Sequence, residues 1–203
     1  MTEAASWRVR HAAAATAWDI TPDPFVVAAC GRLRPGVALQ FGAGDGGTAL
    51  WLAGRGWRVT AVDGAPVTVG RLQGRSALLN QPVDAIAADV AAYRPAAEGF
   101  NLILLRYLEL PEGQLRRLLD NAVGGLAEGG TVLVVGHDLS NLDAGWGGPR
   151  DPDVLTTPDR LADLLAAHGL DVRRAEVVRR TVPGDVGVHT VLDHVVEAVR
   201  PAA

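Results

Sequence analysis

The stretch that most limits what this chain can become runs from residue 37 to residue 54. Five residues of strand type are followed by Gly42-Ala-Gly-Asp-Gly-Gly47 and then by a helix-type segment. Glycine lacks a Cβ, so Gly42, Gly44 and Gly46 let the chain turn tightly, and with Ala43 between them they let a ligand touch backbone amides at a helix start. A strand passing through such a turn into a helix is half of a βαβ unit. The rest of the chain repeats the alternation, which predicts an α/β fold with a mostly parallel sheet and helices on both faces.

Strand-type runs fall at 37–41, 57–62, 83–87, 100–105 and 131–135, and helix-type runs at 48–53, 67–79, 115–126 and 159–168. The last helix has Pro158 near its start and Gly169 just past its end. The run 131–135 is wholly apolar, as a central strand buried on both faces would be. Two late runs rich in β-branched residues, 172–182 and 189–199, flank Pro183-Gly184, so the sheet is expected to finish in an antiparallel hairpin. The longest irregular stretch, 139–155, is rich in Gly, Pro and Asp and reads as an active-site loop.

At 203 residues the chain suits one domain over 1–203, with 1–34 as an N-terminal segment before the first strand. A formal net charge of −4 gives no pull toward phosphate backbones, so no nucleic-acid partner is expected. Cys30 is the single cysteine, which excludes an internal disulfide and a Cys-x-x-Cys pair and fits a reducing cytoplasm. The apolar run after Arg8 and Arg10 is short, Ala-rich and closed by Asp19, unlike a signal peptide. No run approaches the ~20 apolar residues of a membrane span. The expected partner is a small-molecule substrate, bound by a monomer or homodimer.

Asp63 follows Gly42 by twenty-one residues, at the end of the second strand, where a carboxylate can accept both hydroxyls of an adenosine ribose. Asp89, at the end of the third, is placed to accept from an adenine amino group. Taken singly, each has a plainer role, Asp63 as a turn former before Gly64 and Asp89 as a cap. Together they converge on one crevice at the carboxyl ends of the strands. Gly42, Gly44 and Gly47 also satisfy Gly-x-Gly-x-x-Gly, so a nicotinamide-dependent oxidoreductase competes with a methyltransferase. The segment before strand one, the lack of a substantial second domain and the antiparallel finish favour methyl transfer.

Residues 37–63 resemble motif I through the strand-two acid of class I S-adenosylmethionine-dependent methyltransferases, and 126–137 resemble their fifth-strand region. Trp7, Arg10, Trp18 and Phe25-Val26 resemble the N-terminal segment of the small bacterial branch with tellurite-resistance and thiopurine-type enzymes. The resemblance implies a Rossmann-like three-layer sandwich with seven strands in the order 3-2-1-4-5-7-6, strand seven antiparallel. It implies S-adenosyl-L-methionine as cofactor, with Gly42, Gly44 and Gly46 as its loop, Asp63 at the ribose, Asp89 and Val90 at the adenine, and Arg106 at the methionine portion or substrate. Gln40 stands where most members carry an acid, and His11 where the branch usually has Tyr. A family-like protein that binds the cofactor without methylating is a third reading, prompted by Gln40.

Methyl transfer is an in-line displacement, so alignment supplies much of the catalysis, and a base is needed only for a nucleophile that carries a proton. His137 with Asp138 as its orienting acid is the first candidate base and Tyr107 the next; the plainer readings are a strand-end histidine and a packing tyrosine. No metal is expected. Leu105-Arg-Tyr-Leu-Glu109 lacks the Asn/Asp-Pro-Pro-aromatic motif of amino-methylating nucleic-acid enzymes. Trp146 is expected either to cover substrate or to pin the long loop, while Asp193 and His194 read as structural residues of the last strand.

Overall fold

The computed structural model describes residues 22–44, 46–183 and 187–202. Seven strands form one sheet: β1 (Val37–Phe41), β2 (Arg58–Asp63), β3 (Val83–Ala87), β4 (Phe100–Arg106), β5 (Leu126–His137), β6 (Asp171–Pro183) and β7 (Val188–Val199). Their order is β3-β2-β1-β4-β5-β7-β6. The first five pair in parallel, whereas β7 runs antiparallel to both β5 and β6. The hairpin expected at the end of the sheet is present, its strands pairing down to Pro183 opposite Val188.

The helices are α1 (Pro24–Cys30), α2 (Gly47–Gly54), α3 (Pro66–Leu79), α4 (Glu112–Gly125), α5 (Asn141–Ala144) and α6 (Pro158–Ala167). The two-residue period of the strands divides the core. Leu39, Phe41, Ile103, Leu105, Val132 and Val134 face α4 and α6, and the intervening Ala38, Leu102, Leu104, Leu133 and Val135 face α1 and α2. Cys30 packs into the second layer, and burial followed by the charge of Glu197 pushes its thiol up to about 12, which leaves it inert.

Three boundaries differ from the sequence reading. Strand β5 begins at Leu126 rather than 131, because the chain returns to the sheet directly after α4 and absorbs the extra residues in an irregularity where Phe100 pairs with Leu126 and Leu102 with Thr131. Helix α1 lies inside the segment read as 1–34; Asp23 caps it, accepting from the Phe25 and Val26 N–H groups, with Pro24 at its start. The stretch 139–155 is more ordered than a loop, containing α5 and a 3-10 turn at Pro152–Val154. Asn141 clips it to β7 by accepting from Leu192 N–H at 2.8 Å and donating to Gly147 O at 3.0 Å.

His194 is buried and lies opposite Gly136 in the β5–β7 register, where a Cβ on residue 136 would come within 3.0 Å of the imidazole Nε2. Burial pushes this histidine down to about 4, with Asp138 and Asp193 pulling upward and His137 adding to the depression. The unfolded chain, with an ordinary value of 6.5, therefore takes up the proton first as pH falls. Stability from this group is complete above about pH 6.5 and is lost toward pH 4, by up to roughly 3 kcal/mol. Urea unfolding between pH 7 and pH 4.5 should give a clearly shallower decline for His194→Gln than for the wild type; parallel declines would show that His194 titrates alike folded and unfolded.

Candidate active site

The carboxyl edge of the parallel strands carries the site. At the end of β1 the chain turns through Gly42 (φ 71°), Gly44 (φ 51°) and Gly46 (φ 84°), all in the left-handed region. The three do different things. A Cβ on Gly42 would strike Arg106 O and Leu108, and one on Gly46 would strike Leu72 of α3, so both permit close packing. A Cβ on Gly44 would meet nothing nearer than Arg106 Nη1 at 4.0 Å, so this glycine borders open space. Ala43 is buried beneath the turn. Asp45 lies outside the described residues.

Asp63, at the end of β2, is only 3% exposed and holds the turn in place. One carboxylate oxygen accepts from Gly44 N–H at 3.0 Å and the other from Ala65 N–H at 2.9 Å. Gly64, next to it, is exposed. At the end of β3 the exposed Asp89 accepts from Ala91 N–H at 2.9 Å, while the Val90 side chain packs into the core. Gln40, 0% exposed on the α1 side of β1, donates from Nε2 to Gly42 O at 3.3 Å. Its Oε1 is a buried acceptor with no hydrogen bond among the described residues.

Past β4, Arg106 reaches from the sheet toward Gly44, its Nε 3.8 Å from Asp23 Oδ2 and without a hydrogen-bond partner among the described residues. Tyr107 follows with φ 45°, a left-handed conformation that costs a non-glycine residue roughly 1–2 kcal/mol and is found at functional sites when the surroundings enforce it. The guanidinium carbons of Arg106 and Arg180 lie 5.1 and 5.7 Å from the centre of its ring. Its hydroxyl donates to Asp193 Oδ2 at 3.0 Å. Burial, then the charges of Asp23 and Asp193, raise the phenol far above its ordinary value against the pull of Arg180. A phenol so placed stays protonated, a donor rather than the base suggested for it from sequence.

His137 ends β5 directly opposite Asp193 on β7, its Nδ1 3.1 Å from Asp193 Oδ1 and its Nε2 3.9 Å from Glu109. Asp138 does not orient it. That carboxylate accepts from Ser140 N–H at 2.9 Å and from the Ser140 hydroxyl, because consecutive side chains of a strand point to opposite faces. The acid beside His137 is Asp193, 0% exposed, which also accepts from Arg180 Nε at 2.7 Å. Burial would raise its carboxyl, but His137 and Arg180 outweigh that and hold it below the ordinary value. Sequence reasoning missed this cluster; the acid Asp193 within the apolar run Val191-Leu-Asp-His-Val-Val196 was its one signal.

The Trp146 ring stacks on His189 at 4.5 Å and its backbone N–H donates to Thr190 O, so the residue pins the loop to β7. A small cavity of about 20 Å³ is lined by Tyr107, Leu108, Leu110, His137 and His194. Among the described residues no group of three or more His, Cys, Asp or Glu could hold a metal ion, and no helix is long and apolar enough to cross a membrane. His11, like Trp7, Arg10 and Trp18, lies outside the described residues.

Residues 38–130 match the family described as "Methyltransferase domain". No curated protein matches the chain. Among solved structures it is similar to TehB from Haemophilus influenzae, at 16% identity and TM-score 0.71 over 88% of this chain and 62% of that one. It is similar also to the N-methyltransferase NodS from Bradyrhizobium japonicum WM9, at 20% identity and TM-score 0.64 over 85% and 90% of the two chains. A third likeness is to a SAM-dependent methyltransferase from Methanosarcina mazei, at 15% identity and TM-score 0.66 over 90% and 100%. At these identities the likeness to solved structures is one of fold. The matched region runs from β1 into the start of β5 within a sheet of order 3-2-1-4-5-7-6, so this part of the chain is similar to the methyltransferase-domain family and the whole shares the fold of those methyltransferase structures.

Proposed function

We propose that the chain transfers a methyl group from S-adenosylmethionine to a small-molecule nucleophile, sulfur, oxygen or nitrogen. The observation that carries this reading is the open face of Gly44 at the carboxyl edge, bordered by Arg106 and tied to Asp63. The residues suit the cofactor. Gly44 would lie against it, with Gly42 and Gly46 shaping the turn; Asp63 would accept from its ribose, and Asp89 with the Val90 backbone would meet its adenine. Gln40 Oε1, a buried acceptor without a partner among the described residues, suits the methionine ammonium, directly or through water. Arg106 suits the methionine carboxylate. When bound, the cofactor supplies a methyl carbon activated by its sulfonium.

The protein's own contribution is alignment and, for a nucleophile that carries a proton, removal of that proton. His137 is the group for that step, since Tyr107 is held neutral and Asp138 is engaged with Ser140. The nicotinamide reading has no separate support: its glycine spacing is equally that of this turn, and an antiparallel β7 between β5 and β6 is foreign to the all-parallel dinucleotide sheet.

Calorimetry with S-adenosylhomocysteine and with NADH tests the reading. Saturable binding of the first and none of the second is expected; the reverse overturns it. Asp63→Asn should weaken S-adenosylhomocysteine by roughly 10- to 150-fold, the worth of ~1.5 to 3 kcal/mol for a charged hydrogen bond. Because Asp63 also anchors Gly44, the melting temperature of the variant should be recorded alongside, and unchanged affinity would remove Asp63 from the ribose. Gly44→Asn, a residue that tolerates the left-handed backbone at φ 51°, should lower affinity sharply by placing a side chain in the open space, with the melting temperature recorded alongside; retained affinity would displace the site. With a hydroxyl acceptor, His137→Ala should lower turnover by ~10²-fold or more without weakening cofactor binding. Isotope-labelled cofactor, followed into product, distinguishes methyl transfer from binding alone.

A further inference from the structure

We propose that Asp193 is the positioning residue for His137: it holds the imidazole proton on Nδ1 and so leaves Nε2 free to take a proton from the acceptor. The inference rests on the methyl-transfer reading for the purpose of that base, but its geometry is independent of it. His137 Nδ1 and Asp193 Oδ1 are both buried, lie 3.1 Å apart, and neither has a hydrogen bond of good angle with any other described residue. Two orphaned polar atoms facing each other at that distance need only a small rotation of the ring to pair, and hydrogen bonds of this kind tighten when a site is loaded.

Three further features fix the carboxylate rather than the histidine. Cross-strand register sets Asp193 opposite His137, and Arg180 one diagonal step away on β6. Asp193 Oδ2 accepts from both the Tyr107 hydroxyl at 3.0 Å and Arg180 Nε at 2.7 Å. Tyr107 reaches that oxygen from a left-handed backbone, the conformation a non-glycine residue adopts only under constraint. Oδ1 is thus the only oxygen of Asp193 left for His137. On the other side of the ring, Glu109 at 3.9 Å from Nε2 is beyond hydrogen-bond reach.

In the step this serves, the O–H bond of a hydroxyl acceptor would break, its proton going to His137 Nε2 and its electron pair to the new bond with the methyl carbon, while the methyl–sulfur bond breaks and leaves its pair on sulfur as a neutral thioether. The resulting imidazolium keeps its Nδ1–H on the Asp193 carboxylate, so the positive charge forms beside a buried negative one.

The arrangement makes an unusual demand on the isosteric variant Asp193→Asn. Arg180 cannot accept a hydrogen bond, so asparagine must keep its carbonyl oxygen on Arg180 and Tyr107 and turn its NH₂ toward His137. Nδ1 then has to be the unprotonated nitrogen, and the proton moves to Nε2. Long-range ¹H–¹⁵N correlation spectra of protein with ¹⁵N-histidine, at a pH where imidazole is neutral and with His137 assigned by its loss in His137→Gln, read the tautomer directly. The wild type should carry the proton on Nδ1 and Asp193→Asn on Nε2. A wild-type proton on Nε2, or the same tautomer in both proteins, overturns the proposal. Should Asp193→Asn fail to fold, the wild-type spectrum alone still decides. S-adenosylhomocysteine calorimetry on the same samples should give affinities equal within about twofold. Absence of binding to the wild type would overturn the methyl-transfer reading instead, whichever nitrogen holds the proton.

Discussion

The antiparallel course of β7 is the constraint on which the site depends. A parallel strand delivers its last residues to the carboxyl edge of the sheet, where the glycine turn and the ends of β2 and β4 lie. Running the other way, β7 delivers its first half there, so Asp193 and His194 reach the edge from a strand whose far end closes the opposite side. The same reversal sets Asp193 against His137, and puts His194 against Gly136, where the missing side chain of the glycine accommodates the ring. One strand direction therefore decides both which acid faces the candidate base and why a glycine interrupts the apolar middle strand.

The glycine turn and the strand-end acid of the candidate site were legible in the sequence because their logic is local. A strand, a glycine turn and a helix follow one another directly, and the strand-end acid lies a fixed crossover away; β1 and β3 begin and end where their apolar runs do. The meeting of His137 with Asp193 was not legible, because it rests on register. His137 and Asp193 are brought together by pairing that no periodicity displays. The neighbour in sequence, Asp138, was the tempting partner, yet alternation along a strand turns it to the other face. The rule that excludes Asp138 was available from sequence; the identity of its replacement was not.

Two smaller misreadings have the same origin. The apolar run that marked β5 begins only at Thr131, but the sheet accepts the residues before it as an irregularity, with Gly129 in a left-handed backbone. Helix α1 was passed over in a segment read whole, although Asp23-Pro24 is a cap followed by a helix-starting proline. Its capping acid has a second use, since Asp23 also stands 3.8 Å from Arg106. A residue chosen by the helix thus tempers a charge in the site.

Tyr107 joins the two parts of the candidate site. Its ring lies close to two guanidiniums, Arg106 toward the glycine turn and Arg180 toward Asp193, and its hydroxyl is fixed on the buried carboxylate. A bare Asp193 at 0% exposure would be drawn toward the neutral acid by desolvation, and a neutral acid could not stabilise an imidazolium. The neighbouring Arg180 and His137 reverse that tendency and hold the carboxyl below its ordinary value, while the Tyr107 hydroxyl fixes Oδ2. The left-handed turn at Tyr107 costs about 1–2 kcal/mol, and it places the hydroxyl that donates to Asp193 Oδ2 beside the Arg180 guanidinium, so that one carboxylate oxygen is held from two sides and the other is left facing His137.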